Sequence, residues 1–217
     1  MRIVDLSHPI SPAMPLWPGT PRPEFSDLCT VGRDGFGERW LQLSSHTGTH
    51  LDAPAHLFDG AATLDQLDVS HFIGKGALLD LRQTEAGPVS LDRVLASRER
   101  IGQAEFLLLH TGWSRFWGRD EYNRDYPVLS PEAAARLAGL GLKGIGIDAP
   151  SFDEADSEVL PIHRRLLRAG FVLIENLTGL EPLGDSDFFF SALPLPVSGA
   201  EACPVRAVAV IPSFDTE

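Results

Sequence analysis

The sequence predicts an α/β fold: a central β-sheet with helices packed on it, in one layered domain of 217 residues. Short apolar runs bounded by turn residues recur along the chain, and in its middle they alternate with helical patterns. The length is a third observation, because a chain of this size can bury a substantial core in a single unit.

Taken in order, "IVDL" at 3–6 reads as the first strand. A Pro- and Gly-rich arm follows at about 8–24, "SPAMPLWPGTPRP" in its middle, carrying Met14, Leu16 and Trp17. Those side chains make it either an ordered loop around something or an arm packed on a surface or a partner subunit. "RWLQLS" at 39–44 and "GALLDL" at 76–81 read as strands. "SLDRVLASRER" at 90–100 reads as a helix with Ser90 as its N-cap. "FLLLHT" at 106–111 and "GIGID" at 144–148 are buried-strand patterns, separated by a helix "SPEAAARLAGLG" capped by Ser130 with Pro131 at the first helical position. "PIHRRLLRAG", closed by Gly170, reads as a helix. "FVLIE" at 171–175, "FFFSALPL" at 188–195 and "VRAVAVI" at 205–211 complete the strands.

Composition narrows the function. Apolar residues make up 43% and charged residues 22% of the chain, ordinary globular usage. "MRIVDLSHPI" lacks the long apolar stretch of a signal peptide. No segment reaches the ~20 apolar residues that span a bilayer, so a soluble, cytoplasmic protein with no membrane partner is expected. The net charge of −12, with no Lys/Arg cluster to offset it, disfavours phosphate backbones, and no nucleic-acid partner is expected. Cys29 and Cys203 lie outside any C-x-x-C pattern and imply neither a disulfide framework nor a thiolate zinc site.

The chemistry concentrates in "HTGTHLDAPAH" at 46–56. Three of the seven histidines in the chain fall here with an aspartate: His46, His50, Asp52 and His56. Gly48 and Pro54 oppose a helix. An extended segment would project residues 46, 50 and 52 to one side, with Gly48 leaving room near the backbone and the chain turning past Pro54. Imidazoles with one carboxylate suit zinc, manganese or iron, and three protein ligands leave a position open for water, as in catalytic sites.

The pattern H-T-G-T-H-x-D-A-P-x-H resembles the signature of the cyclase-like metal-dependent hydrolases, which include bacterial kynurenine formamidases and isatin hydrolases. "DLSHPI", "LWPG" at 16–19, "GIDAPSFD" at 146–153, "HRRLLRAGFVLIENL" at 163–177, "ALPLPV" at 192–197 and "PVRAVAV" at 204–210 are similar to family blocks in family order. The resemblance implies a mixed central sheet of the swivelling β/β/α type. It implies that His46, His50 and Asp52 bind a metal, that Asp52 bridges to a second ion completed by His163 and Glu175, and that His56 is the catalytic acid/base. Trp17 matches a tryptophan beside the substrate. One or two divalent ions are implied, zinc first and manganese as the alternative, in a homo-oligomer, most simply a dimer. The implied reaction is hydrolysis of an amide-type C–N bond in a small, aromatic substrate. N-formylkynurenine leads, and isatin-type cyclic amides or lactones are alternatives.

Glu175 supports its assignment locally: it ends a buried strand, where an uncompensated carboxylate is costly and calls for a cation. For His163 the sequence alone favours a helix-surface histidine. Trp17, Phe36, Trp113, Phe116 and Trp117 are candidates for an aromatic wall. Thr20 stands where the formamidases carry aspartate after W-P-G, and "TGWSRFW" departs from them as well. A serine hydrolase built on Ser44 or Ser45 lacks a G-x-S-x-G elbow. A protein that holds the metal without turnover is the alternative outside enzymes. "GIGIDAP" is read as a tight strand end, and "DEADSE" at 153–158 as a solvated acidic loop.

Overall fold

The computed structural model describes residues 1–82, 88–96 and 98–212. In chain order the elements are β1 (Arg2–Asp5), β2 (Glu24–Cys29), a single helical turn α1 (Val31–Asp34), β3 (Glu38–Gln42), β4 (His50–Asp52), β5 (Ile73–Asp80), α2 (Leu91–Ala96), α3 (Arg98–Ile101), β6 (Phe106–His110), α4 (Pro131–Ala138), β7 (Gly144–Ile147), α5 (Pro161–Arg168), β8 (Val172–Glu175), β9 (Phe188–Ser191), β10 (Ala202–Pro204) and β11 (Val208–Ile211).

Nine strands form one mixed sheet in the order β1-β11-β9-β5-β6-β7-β8-β4-β10. Its centre, β5 to β8, is parallel, and antiparallel strands extend it on both sides. Every residue of β6, β7 and β8 is buried, which is why they read as unbroken apolar runs rather than alternating ones. Leu107 and Leu109 face one core, with Leu137 of α4 and Leu166 of α5. Phe106 and Leu108 face the other, with Leu51, Ile174 and Phe190. Each fully buried side chain of this kind contributes about 1.5–3 kcal/mol. Gly146 lies where a Cβ would come within 2.6 Å of Leu177 and 2.9 Å of Leu108, so "GIGID" uses its glycines for close packing inside a strand.

The helix ends follow the sequence. Ser130 caps α4 by accepting from the Ala133 N–H, with Pro131 next. Gly170 follows α5 at φ +85°. The helix expected over 90–100 is two pieces, α2 and α3, and Ser97 between them lies outside the described residues. "FFFSALPL" is paired only as far as Ser191, since Pro194 has no N–H for the ladder.

One expected strand lies outside the main sheet, and two further strands are present. "RWLQLS" gives β3, but not in the main sheet: it pairs only with β2, and all five of its residues are exposed. β2 and β10 were not expected, because "EFSDLC" lacks an apolar pattern and β10 has three residues. Among the described residues no helix is long and apolar enough to cross a membrane. Both cysteines are free.

Candidate metal centre

β4 lies antiparallel to β8 with His50 opposite Glu175 and Asp52 opposite Leu173. That register brings one end of the signature onto the last residue of a buried strand. His46 arrives differently. It lies in a turn, not on a continuous strand, because Gly48 adopts φ +65° and breaks the extended run. The single-strand expectation for 46–52 is therefore wrong, although its ligands do converge. A Cβ on Gly48 would meet Ile10 at 3.3 Å and Met14 at 3.7 Å, so the turn lets the Pro-rich arm pack against it. Past Pro54 the chain turns through a 3-10 helix, Pro54–His56, as expected.

Two groups of donors result: His46, His50 and Asp52, and Asp52, His163 and Glu175, each with ligand atoms within 4.8 Å of one another. His46 Nδ1 is 3.1 Å from Asp52 Oδ1, and His50 Nε2 is 3.5 Å from the same oxygen. His163 Nε2 stands 3.0 Å from Glu175 Oε1 and 3.9 Å from Asp52 Oδ2. His50 Nε2 is 3.3 Å from Glu175 Oε2. Donors at the 2.0–2.1 Å bond lengths of tetrahedral zinc sit about 3.3 Å apart, close to these separations. His50 Nε2 and Asp52 Oδ1 are buried without any hydrogen-bond partner, a costly state for polar atoms unless a cation completes them. The donor set fits a divalent ion.

The electrostatics mark a site of negative potential, where a bound cation would take the place of the histidine protons. Burial opposes charge on His50, but Asp52 and Glu175 outweigh it and raise its pKa to about 9. His163 is likewise raised to about 10 against burial, by Asp153 and Glu175. Asp52 resists burial and is held well below the carboxylate range by His50 and His46. His56 belongs to neither donor group; its ring centroid lies 4.5 Å from that of His46 and 6.2 Å from that of His163. Burial lowers its pKa, so the neutral imidazole is favoured.

The centre opens into a cavity of about 460 Å³ lined by Met14, Leu16, Trp17, His56, Trp117 and Asn176 among others. The arm thus covers the cavity of its own chain. Trp117 is backed by His8, the two rings stacked at 3.8 Å and 4°. Of the expected aromatic wall only Trp17 and Trp117 line this cavity. Trp113 packs against the core and donates to the Tyr122 carbonyl, the Phe116 ring lies tilted at 51° beside Trp113, and Phe36 is exposed. Ser45 donates to Glu201 at 2.6 Å and not to a histidine, so a serine hydrolase built on Ser45 lacks its base.

Sequence reasoning missed two groups that hold the ligands in place. Asn176 donates to the Gly48 carbonyl at 3.0 Å, and His50 Nδ1 is 2.9 Å from that same oxygen. Asp153 opens the run "DEADSE", which reads as a solvated loop. Glu154, Asp156 and Glu158 are exposed as expected, but Asp153 is buried against His163. Its place in the block "GIDAPSFD" was the available signal.

Residues 4–154 match the family described as "Putative cyclase". The chain is 34% identical over 215 residues to a kynurenine formamidase of Salinibacter ruber, covering 96% of this chain and 97% of the relative. It is 34% identical over 214 residues to a kynurenine formamidase of Bacillus cereus, covering 94% and 95%. Isatin hydrolase A of Labrenzia aggregata, bound to benzyl benzoate, has the same fold at a TM-score of 0.87 and 24% identity, over 98% of this chain and 94% of that one. The structure of a potential metal-dependent hydrolase with cyclase activity matches at a TM-score of 0.81 and 27% identity, over 98% and 99%. With a family match over most of its length and relatives above 30% identity along nearly all of it, the chain belongs to the cyclase family of metal-dependent hydrolases.

Proposed function

We propose that this protein is a metal-dependent amidohydrolase that cleaves the C–N bond of an aryl formamide, with N-formylkynurenine as substrate. The carrying observation is that two three-donor groups share Asp52 beneath a cavity with tryptophans in its wall. Likeness to kynurenine formamidases along the whole chain supports the substrate. In this reading His46, His50 and Asp52 hold one ion and Asp52, His163 and Glu175 a second, zinc in preference to manganese. Divalent ions bound there would supply Lewis acidity toward a carbonyl and make water acidic enough to attack at neutral pH.

The chain's own residues do the rest. Trp17 and Trp117 hold the aryl ring, and the stack on His8 keeps the Trp117 indole from turning away. Met14 and Leu16 add apolar surface to the cavity wall. A neutral His56 accepts the proton released as water adds to the formyl carbon, then delivers it to the anilide nitrogen as the C–N bond breaks. Formate and the free aryl amine leave.

A parallel assay of the metal-loaded protein on N-formylkynurenine, isatin and a lactone tests the substrate. Rapid turnover of the first alone is the expected result. Rapid turnover of isatin or the lactone with negligible turnover of N-formylkynurenine would overturn the formamidase reading and leave the metal hydrolase standing.

We propose further that the protein works as a dimer, through the β2–β3 hairpin. A two-stranded ribbon is marginal in water by itself. This one leaves Phe36, Trp40 and Leu41 more than half exposed, an apolar surface of the kind that marks interfaces. Light scattering at micromolar concentration should give twice 23.6 kDa; a monomer mass would refute it.

A further inference from the structure

We infer that Asp153 is the positioning residue of the second donor group: it selects which nitrogen of His163 faces Asp52 and Glu175. The inference rests on the metal reading of that group. Asp153 leaves the loop after β7 and is 2% exposed. Its carboxylate accepts the Ile162 N–H at 2.8 Å and the His163 N–H at 2.9 Å. These two bonds cap α5, whose own N-cap residue, Leu160, has φ +45° and no side-chain hydrogen bond to offer. A third contact goes beyond capping: Asp153 Oδ2 lies 2.6 Å from His163 Nδ1.

A carboxylate can only accept, so Nδ1 must carry the proton. Nε2, 3.0 Å from Glu175 Oε1, also faces a carboxylate while no ion is bound; it is the nitrogen directed at the centre, and the one that would give up its proton to a cation there. Because one carboxylate binds both the backbone and the ring of His163, the first turn of α5 and the imidazole plane are set together. The backbone that carries this carboxylate is held in turn: the Tyr126 hydroxyl donates to the Asp153 carbonyl at 2.7 Å, and the Ser151 hydroxyl accepts from the Asp153 N–H at 3.3 Å. A carboxylate behind a ligating imidazole fixes its tautomer and raises its basicity, and losing it commonly weakens metal binding by about 10–100-fold.

The test compares zinc uptake by metal-free wild type, His163→Ala and Asp153→Asn, followed by calorimetry, with circular dichroism to establish folding. The uptake that vanishes in His163→Ala defines the His163-dependent step. Asp153→Asn keeps an acceptor for the helix N–H groups but loses the charge behind the ring, and should weaken that step about 10–100-fold. The uptake that survives in His163→Ala should be unchanged. An unaltered His163-dependent step overturns the inference, as does a proportional loss of all uptake in a folded variant. Absence of zinc uptake by wild type would overturn the metal reading and the inference with it. If Asp153→Asn does not fold, ¹⁵N-histidine spectra of zinc-loaded wild type decide. A hydrogen-bonded Nδ1 proton that disappears in His163→Gln supports the assignment, and metal bound at Nδ1 overturns it.

Discussion

Asp52→Ala should emerge from purification without stoichiometric divalent metal and with turnover at background. The loss should be about 1,000-fold or more, matching the several kcal/mol that metal activation supplies. Asp52 is the member common to both donor groups, so its removal disables two sites where a single histidine disables one. It also deprives the raised pKa of His50 of its main support. His46→Ala provides the contrast, since Asp52, His163 and Glu175 remain together in that variant. Elemental analysis of protein purified without chelator is the measurement. A folded Asp52→Ala protein retaining wild-type metal content would remove this centre from consideration.

His56→Ala should behave differently, with kcat lowered by about 100-fold or more and metal content nearly intact. The ring stands beside the donors without belonging to either group. Burial favours its neutral form and outweighs the opposing pull of Asp52. A base must be neutral to act, so wild-type kcat should be level near neutral pH and fall as acid protonates His56, below the ordinary histidine range. That acid limb should be absent in the variant. Loss of metal from His56→Ala would instead make His56 a ligand.

The parts legible in the sequence are those whose residue types answer to one local demand. β6, β7 and β8 are buried on both faces, so apolarity alone reveals them. Ser130 and Pro131 announce α4 because capping is a local matter. The donors at 46–56 stand out because histidine is scarce elsewhere. What stayed hidden depends on distant partners. β2 has no core behind it, and a short exposed ribbon leaves little pattern. The turn at Gly48 is dictated by the arm that packs on it. Asp153 is chemically identical to its exposed neighbours until α5 places His163 against it.

The pairing of β4 with β8 has a consequence for how the protein is made. Gly48 and Asn176 are joined by a hydrogen bond across 128 positions of sequence, and His50 faces Glu175 in the same ladder. During synthesis from the N-terminus, three closely spaced donors are present long before the strand that must lie beside them exists. Closing so long a loop is slow compared with local helix formation. The complete centre therefore cannot exist until β8 has been made and has paired with β4, so metal retained through purification reports on that long-range closure as well as on chemistry.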